Sequence, residues 1–408
     1  MGFNMQNLPP LAIYVHLPWC IRKCPYCDFN SYKIPADCNA TDIYCNALIK
    51  TIYNELNCLN KKFNTYHNQA NYKDILNREI ISIYIGGGTP SLFNPHQINK
   101  IISTLRSCFK FHKNIEISME ANPGTLDFEK LSMYKEAGLN RISIGIQSLN
   151  DKHLKTLNRI HSRDKALETI SNVNKIFTNF NVDLMHSLPN QSSKEAILDL
   201  KDVLSITPPH LSWYQLTIEE GTPFEKNTPL LPDDNIVENI YLEGYELLKK
   251  YGYNHYEVSA FARSGFKCIH NSNYWRFGDY LSFGAGAHSK LTIINNLNED
   301  NNKVIVRTHN EDTPNKFIEL VNSNQPYYEV QTVNKDELPF EYFLNRLRLF
   351  EDFDLNEFTK YTSLDKQIAL NKLENAINNG LITISSNNIV SITNKGHLFV
   401  NSILEDFL

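Results

Sequence analysis

The chain has 408 residues, with 40 lysines and arginines against 45 aspartates and glutamates. Single cores seldom grow past about 250 to 300 residues, so the length predicts a large first domain and a smaller second one. The near-even charge leaves no electrostatic footprint for nucleic acid. The start lacks a basic segment followed by a long apolar one, and no later run reaches about 18 apolar residues; the expectation is a soluble cytoplasmic protein without an integral membrane segment.

Short, β-branched apolar runs alternate with amphipathic stretches. Strands are expected at Leu11 to His16, Ile80 to Ile85, Ile115 to Glu120, Ile142 to Ile146, Val182 to Met185 and Leu211 to Leu216, several apolar enough to be buried on both faces as parallel strands are. Helices are expected at Asp42 to Leu59, Pro95 to Cys108, Asp127 to Ala137, Asp164 to Phe177 and Lys194 to Ile206, most opened by Pro, Asn, Asp or Ser. Six β-then-α units in series give an α/β class and a partial (β/α)6 barrel. The unusual residues fall at the C-terminal ends of these strands, the edge where barrels build their sites.

The boundaries expected are 1–235 for the core, 236–330 for an extension and linker, and 331–408 for a C-terminal module. From about Asn310 the chain reads as an Asn-rich linker, followed by helices at Glu337 to Leu349 and Leu364 to Asn378. Residues 380–399 then read as a β-hairpin and a short helix, a winged-helix-like α+β arrangement. Residues 331–408 hold seven Lys/Arg against eleven Asp/Glu, so a DNA-reading wing is not expected and a docking or lid module is.

The chemistry concentrates in HLPWCIRKCPYCDFN (16–30), where Cys20, Cys24 and Cys27 form C-x-x-x-C-x-x-C in a loop stiffened by Pro18 and Pro25. In a long chain without an export signal cysteines read as metal ligands, catalytic groups or plain buried thiols before disulfides, only these three are spaced to act together, and soft thiolates suit iron–sulfur clusters, zinc or Cu(I). Zinc would need a fourth ligand, His16 or a distant residue. A cubane normally takes four cysteines, so three leave one iron open to an exchangeable ligand. Gly86, Gly87 and Gly88, ahead of Thr89, let backbone approach a ligand closely.

With Tyr26 just before the third cysteine and GGGTP after the second strand, this spacing resembles the radical S-adenosylmethionine superfamily. There the open iron is chelated by S-adenosylmethionine, whose one-electron cleavage gives an adenosyl radical. Within it, YVHLPWCIRKCPYCDFNS, IYIGGGTPSL, NRISIGIQSLND, LSWYQLTIEEGTPF and HNSNYWRFGDYLSFGAGAHS are similar to the oxygen-independent coproporphyrinogen III oxidase-like group, in order from about residue 11 into the C-terminal module. The resemblance implies a [4Fe-4S] cluster on Cys20, Cys24 and Cys27. It implies S-adenosylmethionine contacts from Tyr14, Tyr26, Gly87, Gly88, Thr89, Glu120, Gln147, Arg159 and Asp183. Glu120 and Asp183 suit hydroxyl or ammonium donors and Arg159 a carboxylate.

The oxidases of the group carry a fourth cysteine two residues after the third, where this chain has Phe29. His270-Asn271-Ser272-Asn273-Tyr274 matches the H-N-x-x-Y motif of the heme-binding members, which implies heme contacts from His270 and Tyr274. The resemblance therefore favours a heme chaperone that passes heme to an unidentified acceptor protein. A coproporphyrinogen III oxidase or another radical enzyme, such as a methyltransferase, is the alternative, and transient contact with a membrane surface stays open. Ser187 and Ser282 stand where the group usually has glycine; positive φ there would add strain on the order of one kcal/mol each.

Overall fold

A computed structural model describes residues 8–64, 75, 77–294 and 303–408. All six strand expectations materialise, each within a few residues of its bounds: β1 (Leu11–Leu17), β2 (Glu79–Gly87), β3 (Lys110–Ala121), β4 (Arg141–Gln147), β5 (Phe180–His186) and β6 (His210–Gln215). They pair in sequence order and in parallel. Leu11, Ile13, Val15, Ile83, Ile85, Ile117, Ile142 and Ile144 are buried between sheet and helices, the burial that a parallel sheet covered by helices requires.

The covering helices are α1 (Ala40–Asn64), α2 (Pro95–Cys108), α3 (Phe128–Glu136), α4 (Arg163–Ile176) and α5 (Ser193–Ser205). Their starts follow from local chemistry. Asn94 and Gln97 close a capping box ahead of Pro95 on α2, and Ser192 and Glu195 close another on α5, each satisfying first-turn N–H groups that have no partner inside the helix.

The sheet continues beyond the six units. After α6 (Asp234–Lys250) come β7 (Asn254–Glu257), β8 (Ala260–Ala262), α7 (Ile269–Trp275), β9 (Asp279–Phe283), β10 (His288–Ile294), β11 (Lys303–Asn310) and β12 (Tyr328–Thr332). The twelve strands lie in the open order β12-β11-β10-β9-β1-β2-β3-β4-β5-β6-β8-β7. The stretch expected to be a linker from Asn310 thus carries a helix, Pro314–Asn322, and an edge strand; Phe317, Val321 and Tyr327 anchor it in the main core.

β9 lies parallel to β1, with Leu11 opposite Asp279, and a buried charge cluster fixes that seam. The Asp279 carboxylate, fully buried, receives Arg78 at 2.8 Å, Lys290 at 3.1 Å and the backbone N–H of Thr292 at 2.9 Å. Ser282 sits within β9 and is not among the positive-φ residues, so the strain expected there is absent, whereas Ser187 does adopt φ +57°.

The C-terminal segment holds α8 (Leu338–Arg346), helix Lys366–Asn378 and a three-stranded sheet that includes the hairpin Ile382–Ile384 and Ile389–Ile392. Its apolar cluster takes in Phe277 and Ile305 from the first body. The segment after α8 also runs beside the barrel: Val258 N–H donates to the Arg348 carbonyl at 3.1 Å and Phe350 N–H to the Tyr256 carbonyl at 3.0 Å.

Candidate functional site

The C-terminal ends of β2 to β6, with the loop that follows β1, open into a cavity of about 520 Å³. The cysteine loop forms one wall and is closed at its base by a short parallel ladder in which Trp19 and Cys20 pair with Tyr32 and Lys33. Cys20, Cys24 and Cys27 all line the cavity. Each sulfur meets a hydrogen-bonding group: Thr89 Oγ1 donates to Cys20 Sγ at 3.5 Å, Arg159 Nη1 to Cys24 Sγ at 3.6 Å, and Cys27 Sγ lies 3.8 Å from Ser31 Oγ. Burial pushes the Cys20 and Cys27 thiols up, against the Thr89 and Ser31 hydroxyls that pull them down. A metal that took these sulfurs would displace their protons.

The glycine run packs against this loop. Gly88 N–H donates to the Leu17 carbonyl at 2.8 Å and Thr89 N–H to the Trp19 carbonyl at 2.8 Å. A Cβ on Gly88 would sit 2.6 Å from the Pro18 carbonyl oxygen, and one on Gly87, which has φ +116°, 2.7 Å from the His16 ring. Both positions are held to glycine, one by contact alone and the other by contact and backbone.

His16 is occupied elsewhere. Its Nε2 donates to the Asn30 carbonyl at 2.8 Å, which leaves Nδ1 to accept from the Tyr14 hydroxyl at 2.9 Å. With both nitrogens engaged, it is not poised as a fourth ligand for zinc. Among the described residues no three His, Cys, Asp or Glu side chains converge where one metal ion could sit. A polynuclear cluster spreads its ligands over separate irons, so three loop thiols, each with a hydrogen-bonding partner, fit such a cluster better than a single ion.

Opposite the thiols, Glu120 accepts from the Tyr84 hydroxyl at 2.9 Å and from Gly87 N–H at 3.2 Å. Burial, reinforced by Asp183, pushes its carboxyl up to about 7 against those two donors. Burial also raises Asp183, which is held by Ser143 at 3.0 Å and Asn181 at 2.7 Å. Gln147 ends β4 with φ +69°, beside a register break against β5, and its Oε1 accepts from Tyr214 at 3.0 Å. Left-handed backbone on a non-glycine residue costs about a kcal/mol or more and gathers at functional sites. Arg159 is tethered through Nη2 to the Gly145 carbonyl at 2.7 Å.

Of the S-adenosylmethionine contacts expected, Tyr26, Gly87, Gly88, Thr89, Glu120, Gln147, Arg159 and Asp183 line this one cavity; Tyr14 does not. Tyr84, its partner across β1 and β2, stands there instead.

His270 and Tyr274 are also off the wall. His270 is buried, with Nδ1 3.0 Å from Ser82 Oγ, Nε2 3.1 Å from Tyr274 Oη, and its ring stacked on Tyr84 at 5.1 Å. Burial lowers it to about 3. Glu116 fastens the start of α7, accepting from the N–H of Ile269 at 3.1 Å and of His270 at 3.2 Å. The imidazole, expected as a heme contact, is thus turned into the protein, and Asn271 and Trp275 of the same helix line the cavity.

Residues 14–203 match the family model of the radical SAM superfamily and residues 333–399 that of the HemN C-terminal domain. The whole fold is similar to that of an *Escherichia coli* protein described as "Coproporphyrinogen III oxidase (HemN) from Escherichia coli is a Radical SAM enzyme", with TM-score 0.78, 22% identity, and 98% of this chain and 90% of that one covered. Fold and site together define a radical SAM scaffold with a HemN-type C-terminal domain.

Two relatives narrow this further. The chain is 42% identical to the heme chaperone HemW of *Haemophilus influenzae* over 99% of both chains, and 40% identical to the heme chaperone HemW of *Escherichia coli* K12 over 99% of this chain and 100% of that one. The chain belongs to the HemW family. Among its described residues no helix is long and apolar enough to cross a membrane.

Proposed function

We propose that the protein is a heme chaperone: it binds heme, hands it to an acceptor protein, and carries a [4Fe-4S] cluster on Cys20, Cys24 and Cys27 with S-adenosylmethionine at the open iron. The observation that carries the reading is the single cavity that brings the three thiols, the glycine loop, Asn271 of the H-N-x-x-Y motif and Trp275 just after it onto one surface. Phe29 supports the chaperone over the oxidase. It lies on the cavity mouth and is 60% exposed, an apolar ring where an oxidase of the group has a thiol.

When bound, the cluster and S-adenosylmethionine supply one-electron chemistry. The chain's own part is to bind and orient. Backbone at Gly87 and Gly88 permits close approach, and Arg159 directs a cation at the thiol side of the cavity. Glu120, with a carboxyl that titrates near neutrality, can give up its proton as an ammonium or hydroxyl donor arrives.

The test is anaerobic reconstitution of the full chain followed by heme titration and gel filtration. Heme that co-elutes with the protein at about one per chain supports the reading. Heme that elutes alone, with coproporphyrinogen III converted to protoporphyrinogen IX, replaces it with the oxidase.

A further inference from the structure

The cavity extends beyond the site that the motifs mark out. Past Asp183 its wall is made by Ser212, Glu257, Ser259, Asn271, Trp275 and Arg348, which belong to β6, β7, the turn after it, α7 and the segment following α8. Residues 271 and 275 are one helical turn apart and share a face of α7, as 270 and 274 share another. The helix therefore divides the HNSNYW stretch, turning His270 and Tyr274 to the core and Asn271 and Trp275 to the cavity.

Arg348 separates this second lobe from an ordinary apolar recess. Its backbone is pinned by the Val258 hydrogen bond, and its guanidinium lies 5.0 Å from the centroid of the Trp275 ring. No hydrogen bond or ion pair joins that guanidinium to another described residue. The other two arginines of the cavity are committed: Arg159 to the Gly145 carbonyl and Cys24, Arg22 to Asn158 at 2.9 Å. A guanidinium held on an indole keeps a rigid fork of donors suited to a carboxylate. Glu257 shares the lobe: burial pushes its carboxyl up to about 7, against the pull of the Arg348 guanidinium.

We propose that this second lobe recognises a planar aromatic ring bearing carboxylates, with Arg348 as the carboxylate anchor and Trp275 as the apolar contact for the ring edge. The inference rests on the heme reading above, under which the ligand class is a porphyrin dicarboxylate. It adds that recognition resides in the carboxylates and the ring, and that the metal is dispensable, because the buried His270 offers the lobe no ligand.

The experiment titrates the reconstituted full chain anaerobically with heme, with metal-free protoporphyrin IX and with its dimethyl ester, following Trp fluorescence, for the wild type, Arg348→Gln and Arg348→Lys. The wild type should bind the free-acid porphyrin on the order of tenfold or more tighter than the ester. Arg348→Gln should weaken the free acid by a similar factor and leave the ester unchanged, so that the acid-to-ester ratio falls toward one, and Arg348→Lys should restore part of it. Iron content checks that each variant is folded and loaded. An unchanged ratio in Arg348→Gln overturns the inference, as does wild-type protein that binds heme but no metal-free porphyrin; in both cases heme binding itself survives. Failure of the wild type to bind either heme or porphyrin overturns the heme reading instead.

Discussion

Gly88→Ala is the sharpest perturbation of the cluster loop. A Cβ there lies 2.6 Å from the Pro18 carbonyl oxygen and 2.7 Å from that of Trp19, so reaching ordinary contact at 3.4 Å requires an opening of about 0.8 Å. Both neighbours are backbone and cannot rotate away. An opening of that size would also stretch the 2.8 Å bonds from Gly88 to Leu17 and from Thr89 to Trp19. Overpacking costs roughly 1–3 kcal/mol and each lost hydrogen bond roughly 0.5–1.5 kcal/mol, or about 2–6 kcal/mol together. The loop carrying Cys20 should yield before the barrel does. Anaerobic reconstitution should then give far fewer than the roughly four irons per chain of a cubane, with thermal unfolding of the rest little changed. Gly252→Ala is the control: φ is +81° but nothing lies within 4 Å, so it should cost about 1 kcal/mol and keep the cluster. Full iron loading of Gly88→Ala, with an unaltered response to S-adenosylmethionine, would refute the reasoning.

Glu120, raised from 4.5 to about 7 by burial, makes two pH predictions. Its contribution to stability is full below about 4.5 and is lost as pH rises through about 7, so S-adenosylmethionine should stabilise the protein most above pH 7. Its affinity should rise up to about tenfold per pH unit below 7 and level off above, and Glu120→Gln should flatten that profile in equilibrium titrations. His270→Gln should lower affinity for heme and for metal-free porphyrin together, because the side chain positions α7; a loss confined to heme would instead make it an iron ligand. Asp279→Asn leaves Arg78 and Lys290 buried without their counter-charge and should cost about 3–5 kcal/mol, read as a lower denaturation midpoint; a change below about 1 kcal/mol would count against the cluster as the fastening of the β1–β9 seam.

The sequence showed the six βα units because each alternates a strand-length apolar run with a capped amphipathic helix, signals local to a few residues. It could not show β9, β11 and β12, whose pairing depends on partners such as Leu11 and on the buried Asp279 group. The thiols, glycines and Glu120 were readable because their chemistry lies in contiguous motifs. Which of Tyr14 and Tyr84 lines the cavity was not, since the two are in register on neighbouring strands and differ in the hydrogen bonds they make, Tyr14 to His16 and Tyr84 to Glu120. The H-N-x-x-Y motif falls on one helix, but its spacing does not tell which face turns inward; Glu116, Ser82 and Tyr84, all distant in sequence, decide that. Glu257 and Arg348 carried no signal, because main-chain pairing between the segments around residues 257 and 349 brings them to the cavity.

The proposed heme-chaperone role requires that this radical SAM scaffold carry heme and leave coproporphyrinogen III undecarboxylated. One anaerobic incubation of reconstituted protein with reductant, S-adenosylmethionine, heme and coproporphyrinogen III tests this most directly, with bound heme and free porphyrinogens analysed from the same sample. The expected result is heme retained by the protein and coproporphyrinogen III recovered intact. Protoporphyrinogen IX in multiple turnovers, with no heme retained, would contradict it.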